Sequence, residues 1–236
     1  MAYFDATDDF DATLSEIDFL AACAKNSKTN THDYLAYLKA AFVLLGAKFE
    51  AFSENIVEDY VSQLAMLAPK AKHLNRELRI HSTTHRLTQC VSNAAFSAKT
   101  MSIKNLQAAA SLWDEDCLHQ ELHISNKFNY GKHGSEELKN LFKRIGFQDI
   151  LTECQITLRL ANTMLSTAHS RTSISADIDS LTNIRNNIIH SDASPSNITH
   201  QQLIGYKENI WEFGFLVDMR LDKELQSIKT LIRDNP

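Results

Sequence analysis

The stretch that decides the fold reads Ile184-Arg185-Asn186-Asn187-Ile188-Ile189-His190 and lies near the end of a segment with helical periodicity. At about 100° per residue, the apolar side chains from position 178 onward share one arc roughly 140° wide, and Arg185 falls inside that arc. The apolar members of the arc are Ile178, Leu181, Ile184, Ile188 and Ile189. A guanidinium keeps its charge and is rarely buried without a partner, so this face meets something other than a plain apolar core.

Two polar side chains flank the same helix. Asn186 and His190 are four residues apart and therefore lie on one side of it. Helix-ending residues, Ser191, Asp192, Ser194 and Pro195, predict the end of the helix, which leaves His190 in the last turn, where the helix dipole favours a protonated imidazole. A permanent cation, an amide and a titratable imidazole thus converge at one helix end, a combination suited to binding a phosphate and moving protons.

The composition favours long helices. The 236 residues include only six glycines and three prolines, too few for a turn-rich β protein, and the 44% of apolar residues can bury a full core. We predict one all-α domain over residues 13–236, a bundle of long antiparallel helices; a division near Pro69 is the alternative. Residues 1–12 carry acidic side chains and no lysine or arginine, and are predicted to be a mobile acidic arm.

Periodicity and capping signals bound the helices, and no segment predicts a strand. A capping box begins the first helix, Gly146 ends a short one, and a capping box with a hydrophobic staple over residues 198–203 begins the last. Loops are predicted over residues 90–100 and 125–135. The predicted helices are 13–26, 31–67, 103–117, 136–145 and 147–165, followed by the motif helix, which Ser173 or Ser175 caps and which ends at His190, and by a last helix that follows the 198–203 capping signal and carries apolar side chains from Leu203 to Leu225.

The helix predicted over residues 31–67 would be roughly 50 Å long at 1.5 Å per residue, enough to be a scaffold for the others. Gly46 within it either loosens the helix or permits a close helix crossing. Glu50 lies between Phe49 and Phe52. It is either a solvated carboxylate at the edge of the apolar stripe or an inward-facing partner for a cation, and the sequence leaves both open.

The net charge of −5 is unlike that of a dedicated duplex-DNA-binding protein, so any contact with nucleic acid must be local. The best local candidate for phosphate contacts is the basic segment, residues 70–86, although a solvated basic face is the more common role of such a run. Its predicted RNA-binding residues are Lys70, Lys72, Arg76 and Arg79. The four cysteines are widely spaced, no apolar run approaches the ~20 residues of a membrane span, and no signal peptide is evident. We therefore expect a soluble cytoplasmic protein with no membrane partner.

Two histidine pairs have the i, i+4 spacing of metal ligands, His81 with His85 and His119 with His123. Neither pair belongs to an H-E-x-x-H motif, and no third ligand is evident. We expect neither a metal nor another cofactor. A metal-dependent enzyme built on these pairs is the weakest alternative.

Arg185 and His190 together suit the cleavage of RNA, in which the 2′-OH attacks its own phosphorus. An imidazole can take or give the proton, and the guanidinium can neutralise charge that grows on the phosphoryl oxygens. Asn186 could orient the phosphate or the imidazole. One imidazole cannot easily be acid and base in a single step, so a second copy of the helix across a two-fold axis would supply another His and Arg. The same residues also fit a purely structural role, an Arg that caps a neighbouring helix and a His that ends one.

Arg185-Asn186-x-x-x-His190 matches the R-x4–6-H motif of the HEPN superfamily. The chain most resembles the stand-alone HEPN ribonucleases of bacterial toxin and defence loci; the motif and its surroundings cover about residues 173–225, and the wider helical resemblance about 31–225. The resemblance implies an all-α, HEPN-type bundle that dimerises through the motif helices. It also implies metal-independent endoribonuclease activity that leaves a 2′,3′-cyclic phosphate and a 5′-OH.

The same resemblance assigns catalysis to Arg185 and His190 and a supporting role to Asn186. It implies RNA as substrate, a second copy of the chain as partner and, for a toxin, an antitoxin protein. Many toxins of a related branch carry Tyr two residues after the motif His, where a nucleotidyltransferase antitoxin modifies them; this chain has Asp192 there. The alternative is a non-catalytic HEPN-type module that forms a dimer or binds a nucleotide.

Overall fold

The computed structural model describes residues 3–95, 99–128, 133–158, 170–191 and 198–234. These residues form eight α-helices, a single 3₁₀ turn at Ala71–His73 and one pair of short strands, and the predicted all-α class is confirmed. The helices are α1 (Asp5–Asn26), α2 (Thr31–Met66), α3 (Arg76–Ala95), α4 (Lys99–Ser111), α5 (Ser135–Lys143), α6 (Ile150–Glu153), α7 (Ser175–Ser191) and α8 (His200–Asp234).

The long helix α2 lies at the centre of the fold, as its periodicity predicts. Asn30 caps it by accepting hydrogen bonds from the backbone N–H groups of His32 and Asp33 at 3.2 and 3.4 Å. Its predicted apolar stripe begins at Leu35, which is half-buried against the core, and the rest of the stripe is buried. The buried members are Leu38, Phe42, Leu45, Phe49, Phe52, Ile56, Tyr60 and Leu64.

Aromatic side chains join α2 to its two main neighbours. Phe10 on α1 stacks on Phe52 with ring centroids 4.7 Å apart, and Phe213 on α8 meets Phe49 at 6.3 Å. The order of such contacts shows the helix directions: α1 runs antiparallel to α2, whereas α8 runs parallel to it. The pairs that show this are Ala6 with Asp59, Phe10 with Phe52, Phe42 with Tyr206 and Phe49 with Phe213.

The N-terminal residues do not form a mobile arm, and the prediction is wrong for residues 3–12. Helix α1 begins at Asp5, and both Phe4 and Phe10 are buried in the core. The capping box expected at Thr13 therefore lies inside a helix that is already formed. The acidic composition of the segment favoured the prediction of an arm, whereas Phe4 and Phe10 anchor the segment in the core.

A carboxylate from α8 caps this helix. Asp218 is fully buried and accepts hydrogen bonds from the backbone N–H groups of Tyr3 and Phe4 and from the hydroxyl of Thr7, the shortest of them at 2.9 Å. Tyr3 and Phe4 lead into the helix, so Asp218 holds its start, while Asp59 on α2 accepts a hydrogen bond from the first-turn N–H of Ala6 at 2.9 Å. Asp218 therefore ties the start of the chain to its last helix.

Two predicted segments differ from the structure. Residues 90–95 continue α3 instead of forming a loop, and the next helix runs over Lys99–Ser111 instead of 103–117. The helix predicted over 147–165 is replaced by α6 and a strand, and residues 159–165 lie outside the described residues.

The strands β1 (Ile156–Leu158) and β2 (Ser170–Thr172) pair antiparallel, with Ile156 opposite Thr172. The prediction of no strand is therefore wrong here. The β-branched pair Ile156 and Thr157 favours extended backbone, and α6 ends after a single turn, so a short strand follows it.

Other signals are confirmed. Gly146 follows α5 with a φ of 102°, a conformation that favours glycine. At the start of α8, Thr199 and Gln202 exchange the hydrogen bonds of a capping box, at 3.0 Å for the Thr199 N–H and 3.2 Å for the Gln202 N–H. The predicted end of α7 at residues 192–195 lies outside the described residues. No helix in the described ranges is long and apolar enough to cross a membrane.

The first prediction concerns Asp218. Replacing it with Ala leaves buried N–H donors and the Thr7 hydroxyl without an acceptor, so the free energy of unfolding should fall by about 2–5 kcal/mol. Asp218→Asn keeps one acceptor oxygen and should cost less. Urea unfolding measures both; Asp222→Ala, one turn further along α8, is the control. A loss below about 1 kcal/mol for Asp218→Ala would contradict the capping role.

Candidate active site

Helix α7 packs its apolar arc against the core, as the sequence predicts for most of its length. Ile178 and Leu181 are buried, and Ile184 and Ile188 are partly buried against the same core. Ile189 differs, because it is 49% exposed. Within the last turn of α7, Ile188 therefore keeps its contact with the core, whereas Ile189 presents an apolar side chain to solvent.

Arg185 turns inward and pairs with a carboxylate on α2. Its Nη1 donates a hydrogen bond to Glu50 Oε1 at 2.7 Å, and the two side chains are only 18% and 23% exposed. Gly46 lies one turn earlier, and a Cβ there would sit 3.1 Å from Arg185 Cδ. The sequence left two alternatives open at each of these α2 positions. In the structure, α7 crosses α2 closely at Gly46, and Glu50 is the partner of a cation, Arg185.

A third side chain joins this pair from the segment before α5. Nδ1 of His133 lies 2.9 Å from the same Glu50 oxygen, in a direction that makes an ion pair with a protonated imidazole rather than a hydrogen bond. Sequence reasoning missed His133. Its only signal was a histidine beside Gly134 in a glycine-containing loop.

The electrostatics of Glu50 are those of a charged group held where charge is unfavourable. Burial raises the pKa of Glu50, and the nearby cations Arg185 and His133 lower it without fully offsetting that effect. The ionised carboxylate is thus less stable in the fold than in water. Because such a pair adds little to stability, a perturbed carboxylate beside a half-buried Arg is typical of a functional site.

His190 and Asn186 do not share this inward position. His190 is exposed and Asn186 is half-buried. Five residues of α-helix turn His190 about 140° away from Arg185 and carry it about 7.5 Å along the axis. Within one chain, the structure brings Arg185 together with Glu50 and His133, while His190 faces solvent.

The predicted RNA-binding segment lies away from Arg185. The basic segment follows the C-terminal end of α2 at Met66, which is about 24 Å along the helix axis from Glu50. Lys70 is half-buried just after this end, and Arg76 is exposed in the first turn of α3. These residues can contact only an RNA that extends well beyond Arg185.

Local partners also reduce the positive potential of the basic segment. The Nζ atom of Lys72 is 3.7 Å from Asp116, and the guanidinium of Arg79 lies over the Trp113 ring at 5.2 Å from its centroid. Burial is the first cause that lowers the pKa of His73, His81 and His85. Burial therefore favours the neutral form of these imidazoles and reduces the positive charge that they add.

The histidine pairs meet only in part. The rings of His85 and His123, one from each predicted pair, have centroids 5.9 Å apart. In the part of the chain that the structure describes, no group of three or more His, Cys, Asp or Glu side chains could hold a metal ion.

The second prediction tests the electrostatics of Glu50. Since its pKa is raised in the fold, the stability that its protonated carboxyl contributes is fully present below the ordinary value of 4.5 and is lost as the pH rises through the raised value. The free energy of unfolding of wild type minus that of Glu50→Gln should therefore fall between pH 4 and pH 7 in urea titrations. Glu16→Gln, which removes an exposed carboxylate paired with Lys48, is the matched control. A difference in the free energy of unfolding between wild type and Glu50→Gln that grows with pH would contradict this prediction.

Comparison with known protein families identifies the family of the chain. The family model described as RiboL-PSP-HEPN matches residues 8–215, from the first turns of α1 into α8. The match includes Glu50, His133, Arg185 and His190, and it extends the resemblance predicted from residue 31 back to α1. No curated protein and no solved structure matches the chain. With the helical bundle and its motif helix in place, the chain belongs to the RiboL-PSP-HEPN family and so to the HEPN superfamily.

Proposed function

We propose that the chain is a metal-independent endoribonuclease whose active site forms across a homodimer of α7 helices. The observation that carries the proposal is the placement of Arg185. An invariably charged side chain is held half-buried on the motif helix by Glu50, at 2.7 Å, in a chain of the HEPN superfamily. A guanidinium held in this way keeps a fixed direction, which favours recognition of a phosphate.

The exposed end of α7 supports a second copy as partner. Ile189 and His190 lie next to each other on the last turn, one apolar and one titratable, and both are exposed. A two-fold axis at this turn would cover Ile189 and place two imidazoles near two guanidiniums. In such a dimer, the His190 of one copy would lie near the Arg185 of the other, although the two side chains point apart within one chain.

The proposed reaction needs only groups that this chain and its substrate supply. The 2′-OH of the RNA loses its proton to one His190 and attacks the adjacent phosphorus. The bond from phosphorus to the 5′ oxygen breaks, and the His190 of the second copy protonates the departing oxygen. The products are a 2′,3′-cyclic phosphate and a 5′-OH. Arg185 stabilises the negative charge on the phosphoryl oxygens, and Asn186 orients the phosphate or an imidazole.

The broader role follows from the same proposal. A stand-alone ribonuclease of this superfamily fits a toxin or defence effector, held in check by an antitoxin protein. Lys70 and Arg76 are the residues of the basic segment that remain suited to guiding a long RNA toward the site.

A second candidate function is a non-catalytic dimeric module that binds a nucleotide or only assembles. The ion pair between Arg185 and Glu50 favours this second function, because Glu50 already neutralises Arg185 when no ligand is bound. Under this alternative, the motif side chains hold an interface or a ligand, and no RNA is cut.

The third prediction separates these candidates. In excess EDTA, the wild type should cleave a mixed RNA pool and leave cyclic-phosphate ends. His190→Ala and Arg185→Ala should each lower the rate at least about 100-fold, since each removes a proton-transfer or charge-stabilising group. Gel analysis of end-labelled RNA measures the rates.

Matched controls come from side chains outside the site. His32→Ala and Arg233→Ala remove a histidine that is 91% exposed and an arginine that is 77% exposed, and should leave the rate unchanged. Equal cleavage by the wild type and both site variants would mean that residues other than His190 and Arg185 carry out catalysis. A folded dimer that cuts no RNA in the pool and causes no growth defect in cells would favour the binding module.

The fourth prediction concerns assembly. Ile189→Lys places a charge on the proposed two-fold contact, so the variant should sediment as a monomer and lose cleavage while its circular dichroism spectrum is retained. Met219→Lys on α8 is the matched control, because Met219 is 46% exposed and Ile189 is 49% exposed. A dimeric Ile189→Lys variant would argue against an interface at the end of α7.

A further inference from the structure

The segment that leads toward His133 is fixed to α2 although it has no regular secondary structure. We call residues 119–128 the strap. Its last residues are held by one carboxylate on α2: Glu54 accepts a hydrogen bond from the backbone N–H of Phe128 at 2.9 Å and pairs with Lys127 Nζ at 2.8 Å. Glu54 lies one helical turn from Glu50, so the strap is anchored beside the Arg185 pair.

A buried arginine secures the strap from the other side. Arg144 follows α5, and its Nη1 donates hydrogen bonds to the carbonyl oxygens of Ser125 and Lys127 at 2.7 and 2.8 Å. Beyond His133, Asp179 on α7 accepts hydrogen bonds from the backbone N–H and the hydroxyl of Ser135 at 2.8 and 2.9 Å. The described chain on both sides of His133 is thus anchored to the helices that carry Glu50 and Arg185.

His133 and Arg185 contact the same oxygen of Glu50, at 2.9 and 2.7 Å. The His133 side chain is 26% exposed, so the three groups are partly shielded from water, and charge interactions there are weakened less by salt than those on an open surface. One carboxylate carries a single negative charge. When the imidazole is protonated, that charge is divided between two cations, and more of the Arg185 charge is left uncompensated.

We propose that His133 is a positioning residue for Arg185: by sharing the Glu50 carboxylate, it sets how strongly Arg185 attracts an RNA phosphate. The inference rests on the proposed function, and it names a residue that acts through Glu50 instead of touching the RNA. His133 therefore affects phosphate binding and not the proton transfers at His190.

The effect depends on pH, because an imidazole is a cation only when both ring nitrogens carry a proton, a form that lower pH favours. The charged groups around His133 are Glu50 and Glu54 on α2, Arg185 and Asp179 on α7, and Lys127 on the strap. Among these groups, Glu50 contacts both His133 and Arg185. Loss of His133 should thus matter more at pH 6 than at pH 8.

The test is binding of a 2′-O-methyl RNA, which cannot be cleaved, measured by fluorescence anisotropy at pH 6 and pH 8. His133→Gln should weaken binding about threefold at pH 6 and little at pH 8, the size expected of one partly screened charge pair. His133→Lys, a permanent cation, should restore binding at both pH values. In cleavage assays, His133→Gln should raise KM and leave kcat unchanged.

A double-mutant cycle shows whether His133 acts through Glu50. In the Glu50→Gln background, His133→Gln should have no further effect on binding. An equal loss in both backgrounds, or no loss at pH 6, would overturn the proposal. His32→Gln is the matched control, since His32 pairs with Asp33 at 3.4 Å on an exposed part of α2.

Failure of the proposed function can be told apart from failure of this inference. If neither the wild type nor any variant binds the RNA, the proposed function fails. Urea unfolding of the wild type, His133→Gln, Glu50→Gln and the double variant then tests whether His133 and Glu50 interact. A coupling free energy between His133 and Glu50 that is larger at pH 6 than at pH 8 would support the shared carboxylate, and its absence would overturn it.

Discussion

The ion pair between Arg185 and Glu50 is the constraint around which this fold is arranged. A guanidinium on the core-facing side of a helix requires an anion, and the anion must come from the scaffold helix against which α7 packs. Gly46 allows α7 to lie close enough for a 2.7 Å contact. Burial raises the pKa of Glu50 although Arg185 and His133 oppose this shift, so the fold holds Arg185 in a fixed direction at the expense of desolvating the carboxylate, which the surrounding apolar core offsets.

A second buried charge organises the opposite side of the molecule. Asp218 caps α1 from α8, and α1 then packs its aromatic side chains against α2. Both charges are satisfied by partners more than 100 residues away in the sequence. The long helices therefore hold their relative positions through specific polar contacts as well as through the core, which suits a scaffold that must present α7 in one orientation.

The degree to which the sequence predicts this structure varies with the range of the interaction. The stripe of α2, the capping box of α8 and the anomaly at Arg185 depend on residues close together in the chain, and all of them are confirmed. The acidic N-terminal segment was misjudged because the residue that caps it lies on the last helix. His133 was not predicted for a similar reason, since its partner Glu50 lies 83 residues earlier in the chain, on α2. The exposure of Ile189 could not be foreseen from helical periodicity, which places residues on a face but does not say where the neighbouring helix ends.

The group that Arg185 contacts when RNA is present decides whether α7 carries an active site. The decisive measurement is a crystal structure of the chain with a short RNA whose attacking 2′-OH is replaced by hydrogen. We predict a two-fold dimer in which the scissile phosphate receives hydrogen bonds from Arg185 and lies within reach of the His190 side chains of both copies. A phosphate bound elsewhere, or an Arg185 that stays paired with Glu50 in a sealed interface, would contradict the account.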